Sequence, residues 1–352
     1  MKISRLFSNV IEATELPQII QLSKGLHAAC FSLMKLLPAH FILDRARDAR
    51  LLKPGGLVVE TSSGTFGLAL AMLCALRDYR LTIVSDPVID PALRQRLTEL
   101  GTRLEIVTQA AENGGFQEPR IQKLKEFRAK HPDAFWPSQY DNPHNAGGYA
   151  RFAEQLVETL GPIDCLVATV GSGGSACGTA RYLRQLFPKL HLVGVDTHRS
   201  VIFGQPDGKR LLRGLGNSLM PQNVDHSCFD EVHWVTAAEA FRATRLLHRR
   251  HALYMGGTSG AAFLVAQWWA NRHPDATVVA LFPDQGHRYE FTIYSDEWLQ
   301  SQGLWQEDLP VAPAEVSAPR NVGPEWSRLL WNRCSYEEVS GHALAATGAG
   351  AT

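Results

Sequence analysis

The middle of the chain alternates short apolar runs rich in β-branched residues with longer segments that have helical spacing. This order of strand, helix and strand predicts an α/β fold with parallel sheets covered by helices on both faces. The runs that predict strands are Leu57–Glu60, Leu81–Val84, Leu104–Val107, Cys165–Ala168, Leu190–Val195 and Thr277–Phe282. The segments that predict helices are Gly67–Leu76, Pro91–Leu100 and Ala180–Leu186. In such sheets, ligands bind beyond the carboxyl ends of the strands.

The character of the chain changes near Asp308, after which prolines become frequent. Residues 326–336 predict a short docked helix. The last ten residues, ALAATGAGAT, predict disorder because they offer a core almost no large side chains. We therefore expect residues 309–352 to form a C-terminal extension that is partly disordered.

The strongest local signal is a loop of glycines and serines between the strand Cys165–Ala168 and the next helix. Glycine lets the backbone approach an anion closely, and a helix N-terminus offers unpaired N–H groups and a positive dipole end. The loop predicts a phosphate site, although an ordinary strand-to-helix turn also favours these residues. It lacks the spacing of a dinucleotide-binding loop. Its residues are Gly171, Ser172, Gly173, Gly174 and Ser175.

A second loop follows the strand Leu57–Glu60 and carries several hydroxyl groups. Helix capping alone would explain one serine or threonine, whereas residues 61–65 contain four. We expect this loop to bind a carboxylate. The residues concerned are Ser62, Ser63, Gly64, Thr65 and Phe66. Two further loops, Gly256–Ala262 and Pro283–Tyr289, also lie next to predicted helices or strands.

Charge and cysteine content exclude several classes of function. Lys plus Arg is 35 and Asp plus Glu is 35, so we expect no nucleic-acid partner and no membrane partner. No apolar run approaches the roughly 20 residues that span a bilayer. The six cysteines lack CxxC spacing, so we expect reduced thiols in the cytoplasm and no metal site.

In this order, the four loops resemble those of the cysteine synthase and cystathionine β-synthase family of fold-type II pyridoxal-phosphate enzymes. The resemblance runs from about Pro17 to Leu299. It implies the tryptophan synthase β-like fold, with two three-layer αβα domains and mostly parallel sheets. Residues 1–34 and 150–308 would form a large cofactor-binding domain, and residues 35–149 a smaller domain on the substrate side. The family also implies small amino-acid substrates and a homodimer.

The resemblance implies roles for individual residues. Residues 171–175 match the loop that binds the phosphate of pyridoxal 5′-phosphate, and Thr258 matches the residue that bonds its pyridine nitrogen. Residues 62–66 and Gln139 match positions that bind the substrate carboxylate. Thr65 stands where the family has an asparagine that bonds the 3′-oxygen of the cofactor.

Three other stretches resemble one branch of the family, in which O-phospho-L-serine is joined to L-glutamate for siderophore biosynthesis. They are residues 114–116, Ser200–Gly204 and Tyr294–Leu299. This resemblance implies β-replacement on an activated serine with L-glutamate as the nucleophile. One alternative is a cysteine synthase that combines O-acetylserine or O-phosphoserine with sulfide. Another is a catalytically impaired protein that keeps the fold.

An enzyme of this kind needs a lysine that binds the cofactor covalently. The family writes this lysine in the string S-x-K-D-R-x-A, which the chain lacks. One alignment places Leu43 at the lysine position, 17 residues before Glu60, and the other places Lys35 there, 25 residues before Glu60. The second spacing agrees with the family, so we favour Lys35 as the catalytic residue. The alternative is an ordinary lysine on a helix surface.

Overall fold

Two β-sheets with flanking helices make up the computed structural model, which describes residues 6–111, 115–305 and 307–341. Gly114 and the ten C-terminal residues, whose disorder the sequence predicts, lie outside these ranges. The strands are β1 (Gln18–Ser23), β2 (Leu26–Cys30), β3 (Leu57–Thr61), β4 (Arg80–Ser85), β5 (Arg103–Ile106), β6 (Cys165–Thr169), β7 (His191–Thr197), β8 (Glu231–Val235), β9 (Val278–Phe282), β10 (Ala314–Glu315) and β11 (Ser327–Leu330).

Helices occupy most of the chain between the strands. They are α1 (Val10–Thr14), α2 (Leu36–Asp48), α3 (Thr65–Leu76), α4 (Pro91–Glu99), α5 (Gln117–Lys130), α6 (His144–Gly147), α7 (Ala150–Leu160), α8 (Gly174–Leu186), α9 (Ala237–His251), α10 (Gly257–Arg272), α11 (Asp296–Ser301) and α12 (Tyr336–Ser340). All six strands predicted from the sequence are confirmed as β3 to β7 and β9, with ends shifted by at most two residues. The three predicted helices are confirmed within α3, α4 and α8.

The larger sheet has eight strands in the order β1-β2-β9-β6-β7-β8-β11-β10. Its strands pair in parallel except for β1 with β2 and β8 with β11, which are antiparallel. Successive side chains point to opposite faces of a strand. Leu166 therefore packs under α7 and α8, and Val167 packs under α9 and α10. Burial on both faces explains why β6 is apolar along most of its length.

The smaller sheet contains β3, β4 and β5, all parallel. Val58 and Ile83 point to one face, where α2, α3 and α4 supply the packing side chains. Val59 and Val84 point to the other face and pack against Leu124 of α5. Each sheet is thus the middle layer of an αβα arrangement.

The C-terminal segment departs from its sequence prediction. Residues 326–336 were expected to be helical, but Ser327–Leu330 form β11 and helix α12 begins only at Tyr336. β11 pairs with the edge of β8, in a register that sets Leu329 opposite Val232. An open sheet edge offers unpaired N–H and C=O groups, and pairing with it outweighs local propensity. The helix prediction for this segment is wrong because that edge was not visible in the sequence.

Membrane insertion through a helix has no support in the described ranges, where no helix is both long and apolar enough to cross a bilayer.

Candidate active site

The N-termini of three helices converge on one cavity of about 430 Å³ between the two sheets. Thr65 at the start of α3, Ser175 in the first turn of α8 and Thr258 in the first turn of α10 all line it. These helices follow the carboxyl ends of parallel strands or lie beside them, which is why their N-termini meet there. The first N–H groups of each helix lack partners within the helix, so the cavity favours anionic groups.

Most of the site residues predicted from the sequence come together at this cavity. Its walls include Lys35, Ser62, Ser63, Gly64, Thr65, Phe66, Gln139, Gly171, Ser172, Ser175 and Thr258. Gly173 and Gly174 of the same predicted set do not line it. They support the cavity wall from behind.

Gly173 and Gly174 are required by the protein that packs behind the loop. Gly173 has φ +85°, and a Cβ there would lie 2.6 Å from the carbonyl oxygen of Asn223. A Cβ on Gly174 would lie only 2.0 Å from Oδ1 of Asn145. Any larger residue would push the loop forward, so glycine here allows the backbone to turn directly into α8.

Lys35 reaches the cavity because the segment after β2 runs along the end of β9. The N–H of Met34 donates to the carbonyl oxygen of Pro283 over 2.8 Å, and α2 begins immediately after Lys35. The amine Nζ of Lys35 donates to Oγ of Ser172 over 3.3 Å. Burial lowers the pKa of Lys35 to about 8, because desolvation disfavours the charged amine. Leu43, by contrast, is fully buried in the core beside the smaller sheet.

The hydroxyl-rich loop is held in shape by one of its own side chains. Oγ of Ser62 accepts hydrogen bonds from the N–H of Gly64 at 3.2 Å and of Gly67 at 3.1 Å. Ser62 therefore organises the loop, while Ser63 and Thr65 stay partly exposed towards the cavity. Nε2 of Gln139 donates to the carbonyl oxygen of Thr61 over 3.5 Å, so Gln139 adjoins this loop.

Several cavity residues were not identified from the sequence. Arg120 and Asp86 form an ion pair of 2.9 Å, and less than a tenth of each side chain is exposed. They are far apart in the chain, so no local pattern links them. Residues 208–219 form part of the rim, where Gly214 and Gly216 have positive φ. Those two glycines were the one signal that could have marked this segment as a tight turn.

The fourth loop supplies a carboxylate and a guanidinium to the same cavity. Oδ2 of Asp284 accepts a hydrogen bond from the hydroxyl of Tyr289 at 2.8 Å. Burial raises the pKa of Asp284. Nη2 of Arg288 lies 2.7 Å from Oδ2 of Asp90, the residue that caps α4. Arg288 thereby connects the end of β9 to the smaller sheet.

These features fit pyridoxal phosphate, the cofactor that the sequence implies. An anion-binding helix terminus at Gly171–Ser175 suits its phosphate, and a primary amine of lowered pKa at Lys35 suits its aldehyde. The amine and the loop share one cavity, as the hydrogen bond to Ser172 shows. In the described part of the chain, no cluster of three His, Cys, Asp or Glu side chains could hold a metal ion.

Comparison with known proteins shows the family in two ways, through a family model and through similar sequences. Residues 33–284 match the family model of the pyridoxal-phosphate dependent enzymes. Two N-(2-amino-2-carboxyethyl)-L-glutamate synthases are similar in sequence. The protein from Cupriavidus metallidurans is 35% identical to this chain, and the match covers 83% of this chain and 91% of the relative. The protein from Ralstonia nicotianae is 34% identical, and the match covers 84% of this chain and 91% of the relative.

A solved structure agrees in fold. The cysteine synthase of Entamoeba histolytica superposes with a TM-score of 0.76 at 22% identity, over 88% of this chain and 99% of its own. The present chain therefore has the architecture of the fold-type II enzymes, with two αβα units and mostly parallel sheets. The chain therefore belongs to the pyridoxal-phosphate dependent enzyme family, and its cofactor is pyridoxal 5′-phosphate.

Proposed function

We propose that this enzyme joins O-phospho-L-serine to L-glutamate and forms N-(2-amino-2-carboxyethyl)-L-glutamate, a precursor in diaminopropionate and siderophore biosynthesis. In this β-replacement, the C–O bond to phosphate breaks, a C–N bond to the glutamate amine forms, and inorganic phosphate leaves. The observation that carries the activity is the position of Lys35, whose amine lies 3.3 Å from Ser172 at the entrance to α8. The names of the two similar synthases support the choice of substrates.

The lysine and the glycine loop have complementary roles in this proposal. When bound, pyridoxal phosphate supplies an electron sink for the bonds at the α-carbon of the amino acid. Gly171, Ser172 and Ser175 would hold its phosphate, with Gly173 and Gly174 supporting the loop, and the hydroxyl of Thr258 would bond its pyridine nitrogen. Nζ of Lys35 would hold the cofactor covalently through its aldehyde, and the free amine of Lys35 would accept the proton from the α-carbon. An amine whose pKa is about 8 is neutral more often near pH 7 than an ordinary lysine, which suits a base.

The substrate side of the cavity is assigned by the same reasoning. The loop of residues 62–66 and the side chain of Gln139 bind the carboxylate of the amino acid. Thr65, which lines the cavity, would offer its hydroxyl to the 3′-oxygen of the cofactor, with a shorter reach than the family's asparagine amide. The N-terminus of α3 lies behind this loop and adds its dipole to the attraction for an anion.

We also propose that residues 1–34 and 150–308 form a cofactor domain, to whose sheet the C-terminal extension adds β10 and β11. Residues 35–149, with the smaller sheet, would form the substrate-side domain. The six cysteines are free thiols, which is usual for a protein of the cytoplasm. A homodimer, as in the family, would have twice the chain mass of 38.9 kDa. Light scattering that gave a single-chain mass would refute the dimer.

The activity is tested with purified protein loaded with pyridoxal phosphate. O-phospho-L-serine is offered with L-glutamate in one reaction and with sulfide in another, and phosphate release and product mass are measured. We expect the product of glutamate addition and little cysteine. Cysteine as the main product would favour a cysteine synthase, and no phosphate release with either acceptor would exclude both activities.

The role of Lys35 is tested in the same preparation. Lys35→Ala should lose the visible absorbance of covalently bound cofactor and should release no phosphate. Lys53→Ala is the matched control, because Lys53 is exposed and does not line the cavity. Retention of the absorbance by Lys35→Ala would show that another amine holds the cofactor.

A further inference from the structure

Glu60 is a buried acid at the junction of the two segments that face the substrate. It is the fourth residue of β3, directly before the hydroxyl-rich loop, and only 1% of its surface is exposed. Among the described residues, no lysine, arginine or histidine forms an ion pair with it. Placing a carboxylate in such a site is costly unless hydrogen bonds replace its hydration. Because no counter-ion balances this buried acid, its oxygens need hydrogen-bond donors from the surrounding protein.

N–H donors from both substrate-facing segments surround the carboxylate of Glu60, and the backbone N–H of Ser138 is one of them. Oε1 accepts from the backbone N–H of Thr61 at 2.8 Å and from the indole N–H of Trp136 at 3.0 Å. Oε2 accepts from the backbone N–H of Gln139 at 3.3 Å. Hydrogen bonds to an ionised acceptor are about twice as strong as neutral ones. Glu60 therefore connects the start of the loop 62–66 to the backbone of Gln139.

The backbone before Gln139 would not keep its shape without such support. Ser138 has φ +48°, a left-handed conformation that is unfavourable for residues other than glycine. The carbonyl oxygen of Gln139 accepts from Nδ2 of Asn145 at 2.6 Å and from Nδ2 of Asn223 at 3.1 Å. Glu60 holds the opposite side of the same residue through its N–H. Hydrogen bonds therefore fix both the N–H and the carbonyl oxygen of Gln139, which limits the positions that its side chain can take.

We propose that Glu60 is a positioning residue for the substrate carboxylate. Its carboxylate fixes the backbone of Gln139 against the loop 62–66, so that both segments face one carboxylate of the amino acid. Glu60 does not line the cavity that holds Lys35; it borders a neighbouring cavity of about 440 Å³ together with Trp136 and Tyr140. This inference rests on the proposed function of the cavity, and it adds a residue to which that function assigns no role.

Glu60→Gln is the direct test, because the variant keeps the size of the side chain and replaces one acceptor oxygen by an NH₂ group. That group meets an N–H donor, so at least one of the hydrogen bonds to Glu60 is lost. Loss of a bond to a charged group lowers the equilibrium constant for the fixed position of Gln139 by about tenfold or more. Substrate that requires this position then binds more weakly, by up to the same factor. We expect the dissociation constant for O-phospho-L-serine, measured from the change in cofactor absorbance at about pH 8.5, to rise by about tenfold. This pH lies above the pKa of Glu60, which burial raises to about 7, so the wild-type side chain is ionised. The affinity for pyridoxal phosphate should stay within about twofold.

Asp196→Asn is the matched control for the loss of a buried charge. Asp196 is also fully buried, and its Oδ1 accepts from the N–H of the following residue, Thr197, at 2.8 Å. Burial raises the pKa of both acids to about 7. Asp196 is not part of the cavity wall, so its variant should bind O-phospho-L-serine as the wild type does. Equal weakening in both variants would mean a general loss of stability and would overturn the proposal.

The outcomes separate the inference from the function on which it rests. If wild-type enzyme gives no absorbance change with O-phospho-L-serine, the proposed function fails. If the wild type responds and Glu60→Gln binds equally well, the positioning role fails. Should Glu60→Gln not fold, Trp136→Phe removes one donor and keeps the carboxylate. Its dissociation constant should then rise by about threefold, and an unchanged value would overturn the proposal.

Discussion

At the residue scale, the site depends on groups whose surroundings change their chemistry. Lys35 is the clearest case, because its neighbours in the sequence do not show whether its side chain is exposed on a helix or lines the cavity. The segment Phe31–Met34 runs along the end of β9 and places the amine beside Ser172. Burial lowers the pKa of Lys35 from 10.5 to about 8. That shift also has a consequence for stability.

Cofactor-free protein should become more stable between pH 8 and 10.5. In this range the unfolded chain still binds the proton of Lys35 while the folded chain has released it, so the free energy of unfolding rises with pH. The rise attributable to Lys35 is about 2 kcal/mol, which allows for partial solvent screening. Urea unfolding of wild type and Lys35→Met across this range measures it. Parallel curves for the two proteins would contradict a lowered pKa.

The sequence identified most site residues at this scale, but not all of them. Glycine and hydroxyl side chains in strand-to-helix loops are local signals, so residues 62–66 and 171–175 were predicted directly. Thr258 and Gln139 came from family resemblance, and all but Gly173 and Gly174 of these residues line the cavity. The Arg120–Asp86 pair was missed because its two halves are brought together only by folding. The catalytic and binding roles themselves stay predictions.

At the scale of elements, the sequence predicted the strands that are buried on both faces. It did not predict a strand that forms only by pairing with a neighbouring strand. β6 and β9 are apolar and fully buried, which gives a strong signal. β11 alternates buried and exposed positions over only four residues and exists because β8 offers an edge. Short strands of this kind are decided by pairing.

Two adjacent leucines in β11 should respond very differently to substitution. Leu329 is 5% exposed and packs with the core under α7 and α8, whereas Leu330 is 49% exposed on the opposite face. Leu329→Ala should lower the free energy of unfolding by about 2–4 kcal/mol, and Leu330→Ala by about 0.5 kcal/mol or less. Denaturant unfolding compares the two variants. Similar losses in both would mean that β11 is not packed as described.

At the scale of the whole molecule, polar contacts connect the two sheets at the rim of the cavity. Arg288, after β9, forms an ion pair with Asp90, which precedes α4. Nη1 of Arg213 in the rim donates to the carbonyl oxygen of Val88 over 2.8 Å. Both contacts end on the same turn of the smaller unit, residues 86–90. Asp90 has two functions there, since its Oδ1 also accepts from the N–H of Leu93 at 2.7 Å and caps α4.

Two substitutions at Asp90 should separate these functions. Asp90→Asn keeps a good N-cap and removes only the charge, so it should cost up to about 1 kcal/mol of stability, as for a partly buried ion pair. Asp90→Ala removes the cap as well and should cost about 1 kcal/mol more. Thermal or urea unfolding gives the difference. If the two variants were equally stable, Asp90 would not act as a cap.

The sequence by itself determined the α/β class, six of the strands and the position of the two glycine- and hydroxyl-rich loops, because burial patterns and glycine turns act within a few residues. The spacing to Glu60 already favoured Lys35, and the tertiary structure places its amine beside Ser172. Tertiary structure alone decided how Glu60 joins two distant segments and that the C-terminal segment completes the larger sheet. These features depend on pairing and packing between residues far apart in the chain. Their energies arise only when the sheets assemble, so no local pattern encodes them.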